Sequence, residues 1–102
     1  MELRISHEPG YILVSTPGRI DESGEDAFRE HLHPLVAQRN ARMVLDLSQS
    51  GFVTSRGIGE LVSLVVHANS CGSRVVLAAC QPYVRMVFET ARLDKFFELA
   101  AT

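Results

Sequence analysis

Met43-Val-Leu-Asp-Leu-Ser-Gln-Ser-Gly-Phe-Val-Thr-Ser-Arg-Gly-Ile-Gly59 is the stretch from which the rest of the chain can be read. A short apolar strand ends in polar residues. A hydroxyl pair, Thr54-Ser55, then stands where a helix begins. Ser and Thr favour helix N-termini because their oxygens accept bonds from backbone N–H groups that have no partner inside the helix. The same free N–H groups and the helix dipole favour negative charge. A hydroxyl at this place can therefore be a plain cap or a point of phosphorylation.

Outward from this stretch, elements alternate. On the N-terminal side, Leu3, Ile5 and His7 alternate with polar residues, the pattern of an edge strand. Pro9-Gly10 marks a turn, and Tyr11–Thr16 reads as a second strand, antiparallel to the first. A helix is expected from about Gly24 to Gln38, with Ser23 as its N-cap and Glu25 and Asp26 in its first turn. Ala27, Phe28, Leu32, Leu35 and Val36 mark its buried face, and Pro34 interrupts it.

Met43–Leu47 is nearly continuous in apolar residues, as in strands covered on both faces. A second helix is expected from about Arg56 to Ser70. Ile58, Leu61, Val62, Val65 and Ala68 form its stripe, Leu64 and Val66 widen it, and Gly72 closes it. Arg74–Ala79 reads as another buried strand. Pro82 suits the first turn of a third helix ending near Ala91, and Phe96–Leu99 as a last strand. The order β-β-α-β-α-β-α-β over residues 1–102 predicts one α/β domain, with a mixed sheet, parallel central strands and about three helices.

Composition bounds the function. The chain is 46% apolar and 22% charged, with formal net charge −2, so nothing suggests the clustered Lys and Arg of a nucleic-acid footprint. No apolar run reaches the roughly 20 residues of a membrane helix. Met1–Gly10 lacks the basic-then-apolar order of a signal peptide, so a cytoplasmic location is expected. Cys71 and Cys80 fit buried thiols better than a disulfide framework. His31 and His33 are two apart and diverge on a helix, and His67 is expected at a helix rim. No convergent metal set emerges from these with His7. Gly57-Ile-Gly59 lacks the third glycine and the later acid of a dinucleotide fingerprint, and Val53–Gly57 is no nucleophile elbow. Asp21 and Asp46 fit turn hydrogen bonding better than paired carboxylate catalysis. No cofactor is expected, and no enzymatic activity.

Asp46-Leu-Ser48 ahead of Phe52-Val-Thr-Ser-Arg-Gly-Ile-Gly59, together with Gly18-Arg-Ile-Asp21, Gly72 and Val87–Phe97, resembles the STAS domain, and within it the bacterial anti-sigma factor antagonists. The resemblance covers nearly the whole chain. It implies a regulatory protein that binds an anti-sigma factor, itself a serine kinase of the histidine-kinase-like ATPase type. Phosphorylation ends that binding and a phosphatase restores it. By position the phosphoacceptor is Ser55, and Thr54, Ser55, Arg56, Gly57, Ile58 and Gly59 form the partner-binding surface. Gly57 and Gly59 would let a partner's backbone approach closely. Thr54 stands where the family pattern has Asp, and Arg56 where it has Ser or Thr. Those departures would suit a constitutive docking subunit of a membrane transport complex. A small enzyme or nucleotide-binding protein is the remaining alternative, and it requires a deep polar pocket.

Overall fold

The computed structural model describes residues 1–101. Strands β1 (Arg4–Glu8) and β2 (Tyr11–Ser15) pair antiparallel through the Pro9-Gly10 turn. After them come β4 (Arg42–Asp46), β6 (Arg74–Ala78) and β7 (Glu98–Ala100), joined in parallel in the order β1-β2-β4-β6-β7. The mixed sheet with parallel centre matches the expectation from element order. Its last strand lies later than expected, at Glu98–Ala100, because Phe97 turns inward to pack edge-on against Phe88. Arg74 forks onto Glu98 across β6 and β7.

Burial alternates along the central strands. Val14, Met43, Leu45, Val75 and Leu77 are buried on one face; Leu13, Val44 and Val76 are half-buried on the other. The expectation that Met43–Leu47 is covered on both faces is therefore corrected. Its apolar run reflects one fully packed face and one half-buried face with short aliphatic side chains. Helices supply the packed layer: α3 (Ser55–Ser70) lies on β6, and α4 (Pro82–Thr90) adds Val84 and Phe88 to the core. On α3, Leu61, Leu64, Val65 and Ala68 face inward as their spacing requires, whereas Val66 is exposed. Gly72 ends this helix at φ +70, a conformation glycine adopts without steric cost. Ser73 then donates its N–H back to the carbonyl of Ala68, giving the closing bond of a Schellman motif.

The first helical rod is composite: α1 (Gly24–Ala27), a π-helical turn (Phe28–Leu32) and α2 (His33–Val36). Pro34 explains the wide turn. It has no N–H to offer Glu30, and its ring crowds the carbonyl four residues back. The chain relieves this by letting the N–H of His33 reach the carbonyl of Phe28, five residues back. Phe28, Leu32 and Val36 still all reach the core. The rod ends at Val36, two residues before the expected Gln38.

Ser23 stands at the N-cap position as expected, but its backbone is helical and its side chain makes no capping bond. Asp21 Oδ1 instead accepts the N–H of Ser23 at 2.9 Å and its hydroxyl at 2.5 Å. Ser23's two bonds, followed by that from Arg19, hold the Asp21 carboxyl below its ordinary value.

A second, two-stranded sheet escapes the sequence pattern. Residues Arg19–Ile20 (β3) and Phe52–Val53 (β5) pair in parallel, away from the main sheet. Each strand is too short to show any period.

Candidate functional site at the start of helix α3

The loop that leads into α3 is fastened at each step. Asp46 Oδ1 accepts the N–H of Ser48 at 2.9 Å. Leu47 is fully buried, and its N–H donates to the carbonyl of Ala78 at 2.9 Å. Ser50, also fully buried, donates its hydroxyl proton to the carbonyl of Pro17 at 2.5 Å. A hydroxyl has one proton, so Thr16 is the donor in the 2.6 Å contact between the Thr16 and Ser50 oxygens, in preference to the Asp46 carbonyl 3.3 Å away. Gln81, ahead of α4, donates its amide to the carbonyl of Ser48 at 2.8 Å. Gly51 and Phe52 then donate to the carbonyl of Gly18, and Thr54 donates to that of Ile20 at 3.0 Å.

Thr54 is the N-cap of α3. Its backbone is extended, and its Oγ1 accepts the N–H of Gly57 at 3.1 Å. Ser55 is the first helical residue and lies exposed; among the described residues its Oγ has no hydrogen-bond partner. The capping task thus belongs to Thr54, which leaves the neighbouring hydroxyl free. Arg56 is also exposed. Burial, followed by the repulsion of Glu25, raises the Glu60 carboxyl above its ordinary value, with Arg56 and Arg29 opposing.

Two site residues sit differently from each other. Gly59 is exposed, and a Cβ there would meet nothing within 4 Å. Gly57 is buried, and a Cβ there would stand 2.1 Å from the carbonyl oxygen of Ile20. The expectation that Gly57 offers a close approach to a partner is corrected: its missing side chain admits strand β3 of the same domain. Ile58 is half-buried and leans on the core.

The first turn of α3 is a poor phosphate cradle. The N–H groups of Gly57 and Ile58 are taken by the side chain and backbone oxygens of Thr54. A 340 Å³ cleft at one end of the sheet is lined by Glu2, Arg4, Ser15, Thr16, Pro17, Gly18, Asp46 and Gln49, and does not include Ser55.

An aromatic patch adjoins the loop. Phe52 is 39% and Tyr83 46% exposed. Their rings are parallel, 6.4 Å apart, with the Arg19 guanidinium 4.4 Å over the Phe52 ring and its Nε 2.7 Å from Asp21. Sequence reading missed this patch because β3, β5 and α4 meet only in the folded chain.

The family model of the STAS domain matches residues 2–102. The chain belongs to the STAS domain family. A STAS-domain containing protein of Pseudomonas aeruginosa, PA14_20770, is 27% identical over 89 residues, covering 87% of each chain. An anti-sigma factor antagonist from Mycobacterium paratuberculosis superposes with a TM-score of 0.79 at 27% identity, over 99% of this chain and 86% of that one. The unphosphorylated anti-sigma factor antagonist SpoIIAA superposes with a TM-score of 0.81 at 17% identity, over 99% of this STAS domain and 89% of SpoIIAA, and a phosphorylated SpoIIAA structure is also similar. Among the described residues no helix of this STAS domain is long and apolar enough to cross a membrane.

Proposed function

We propose that this STAS domain is a non-enzymatic, cytoplasmic antagonist of an anti-sigma factor, binding a partner that is also its serine kinase. Phosphorylation of Ser55 ends the binding and a phosphatase restores it. One observation carries the reading: an exposed Ser55 hydroxyl, free of intramolecular bonds, at the N-terminal end of a 16-residue helix. A kinase can reach that oxygen without unfolding anything. The phosphate would bring about −1.5 to −2 charges to the contact surface. The helix dipole tolerates that charge within the domain, although Thr54 already occupies the N–H groups of Gly57 and Ile58. A partner that must desolvate it, or that presents acidic groups, loses affinity. Because Ser55 is not the cap, modifying it leaves the Thr54 bond to Gly57 in place.

The test is incubation with the candidate kinase and ATP, followed by mapping of the phosphate by mass spectrometry, and titration of Ser55→Asp and Ser55→Ala against the unphosphorylated partner. Phosphate at Ser55, weakened binding by the Asp variant and sustained binding by the Ala variant support the switch. Phosphate elsewhere, or equal affinities of the two variants, refutes it. Equal affinities together with capture of a permease component would support the constitutive docking subunit that Thr54 and Arg56 would also suit.

A further inference from the structure

We propose that His33 and His67 form a two-proton latch between α2 and α3, closed while the pair holds a shared proton and opened when both rings are fully protonated. The Nδ1 atoms of the two rings lie 2.7 Å apart. Their centroids are 4.9 Å apart and their planes 22° from parallel. A nitrogen–nitrogen contact that short, with centroids that far apart, sets the rings edge to edge in nearly one plane. Each Nδ1 is aimed at the other, as an N–H···N bond requires.

The composite rod brings this about. Pro34 forces the wide turn, and the turn sets the face on which His33 projects. Helices α2 and α3 pack together there, and both rings are half-buried. Sequence spacing sees only that His31 and His33 diverge; it cannot see that His33 meets a residue 34 positions away.

The proton count defines the device. In the neutral pair one ring carries Nδ1–H and donates; the other carries Nε2–H and accepts at Nδ1. A first added proton goes to the free Nε2 of the donor ring. That leaves the Nδ1–H···Nδ1 bond intact and makes it charge-assisted. A second proton must go to the accepting Nδ1. Two N–H groups and two cations then oppose each other, and the bond is lost.

A metal ion does not fit between these nitrogens as placed. Two imidazoles on one tetrahedral zinc, at about 2.0–2.1 Å each, stand farther apart than this contact. Burial, followed by the charge of His67, holds the His33 imidazolium below the ordinary histidine range. Glu25 and Asp26 on α1, Arg29, Glu30 and His31 on the π turn, and Arg56 and Glu60 on α3 are not among the causes of that shift. The opening is therefore set by burial of the rings first and by their mutual repulsion second. It acts at the end of α3 away from Ser55, twelve residues or about 18 Å along the helix.

The experiment is long-range proton–nitrogen NMR of the imidazoles in the full chain from pH 8 to 4.5, with amide exchange followed in the same samples. The latch requires one Nδ1–H ring and one Nε2–H ring at neutral pH. It also requires a two-step titration with steps more than about one pH unit apart. Across the second step, protection of the Leu35, Val36 and Ala37 amides should fall about tenfold relative to those of Val84–Phe88, the factor equivalent to one unit. In His67→Gln, His33 should titrate in a single step at higher pH. Two Nε2–H rings titrating independently, unchanged relative protection in α2, or an unmoved His33 midpoint in the variant would each overturn the proposal. The wild-type spectra decide the matter even if the variant is poorly folded.

Discussion

Replacing Gly57 with Ala tests whether α3 is seated by a missing side chain. The added Cβ would lie 2.1 Å from the carbonyl oxygen of Ile20, 2.6 Å from its carbon and 3.1 Å from the backbone nitrogen of Asp21. All three are backbone atoms, so no rotamer change relieves the contact. The helix start must instead move away from β3 by about an ångström, an overpacking that costs roughly 1–3 kcal/mol. That movement stretches the Thr54-to-Ile20 bond, now 3.0 Å, at about 0.5–1.5 kcal/mol more. Against this stands the better helix propensity of Ala, worth about 1 kcal/mol. The net is a loss of about 0.5–3.5 kcal/mol. Gly59→Ala is the matched control. Its Cβ meets nothing within 4 Å, so only the propensity gain of up to about 1 kcal/mol remains. Urea titration by circular dichroism should separate the two variants by roughly 1.5–4.5 kcal/mol, with Gly57→Ala below wild type and Gly59→Ala at or above it. At about 4–8 °C per kcal/mol, Gly57→Ala should melt measurably lower. If Gly57→Ala equals Gly59→Ala in stability, β3 does not position the helix start.

Thr54→Ala should lose about 1 kcal/mol in urea denaturation, whereas Thr54→Ser should retain most of the cap; equal losses would deny the side-chain bond its role. Ser50→Ala takes the donor from the Pro17 carbonyl and leaves the Thr16 hydroxyl only the Asp46 carbonyl, 3.3 Å away, and should cost about 0.5–1.5 kcal/mol; a neutral result would contradict the buried relay. Ser55→Ala, by contrast, should leave stability within about 0.5 kcal/mol of wild type, so that any change in partner binding is read as a surface effect. For pH, the sign follows from His33: its folded value lies below the ordinary 6.5, so the unfolded chain binds more protons. Its stabilising contribution is complete above 6.5 and is lost as pH falls through that value to the lower folded one. The urea midpoint should drop between pH 7.5 and 5, and His33→Gln should flatten that slope; identical slopes would refute the assignment.

Much of the fold was legible because its long elements obey a period. The α3 stripe of Leu61, Leu64, Val65 and Ala68 and the closure at Gly72 follow from helical spacing and glycine's conformational freedom. The hairpin and the strand order follow from turn residues and alternation. What failed to show was tertiary in origin. Strands β3 and β5 have two residues each and exist because Gly18 and Ile20 carbonyls meet the amides of Gly51, Phe52 and Thr54. Ser23 holds the N-cap position without a side-chain capping bond because the Asp21 carboxylate, two residues ahead, takes both its N–H and its hydroxyl. The hydroxyl pair marked the candidate site, but its spacing could not show the division of labour. Only the fold reveals that Thr54 caps, that Ser55 is free, and that Gly57 serves the interior while Gly59 faces out.

The anchorage of residues 46–54 has a thermodynamic consequence for recognition. A floppy loop would lose freedom on complex formation, at about 0.5–1.5 kcal/mol for each side chain immobilised. Here the tethers to Pro17, Gly18, Ile20, Ala78 and Gln81 have already removed much of that freedom. A partner docking here under the proposed function would meet a preorganised rim, so encounter should resemble rigid-body docking and phosphorylation would have little disorder to create. Control of affinity is then left to what is added at the rim, with the domain beneath it unchanged.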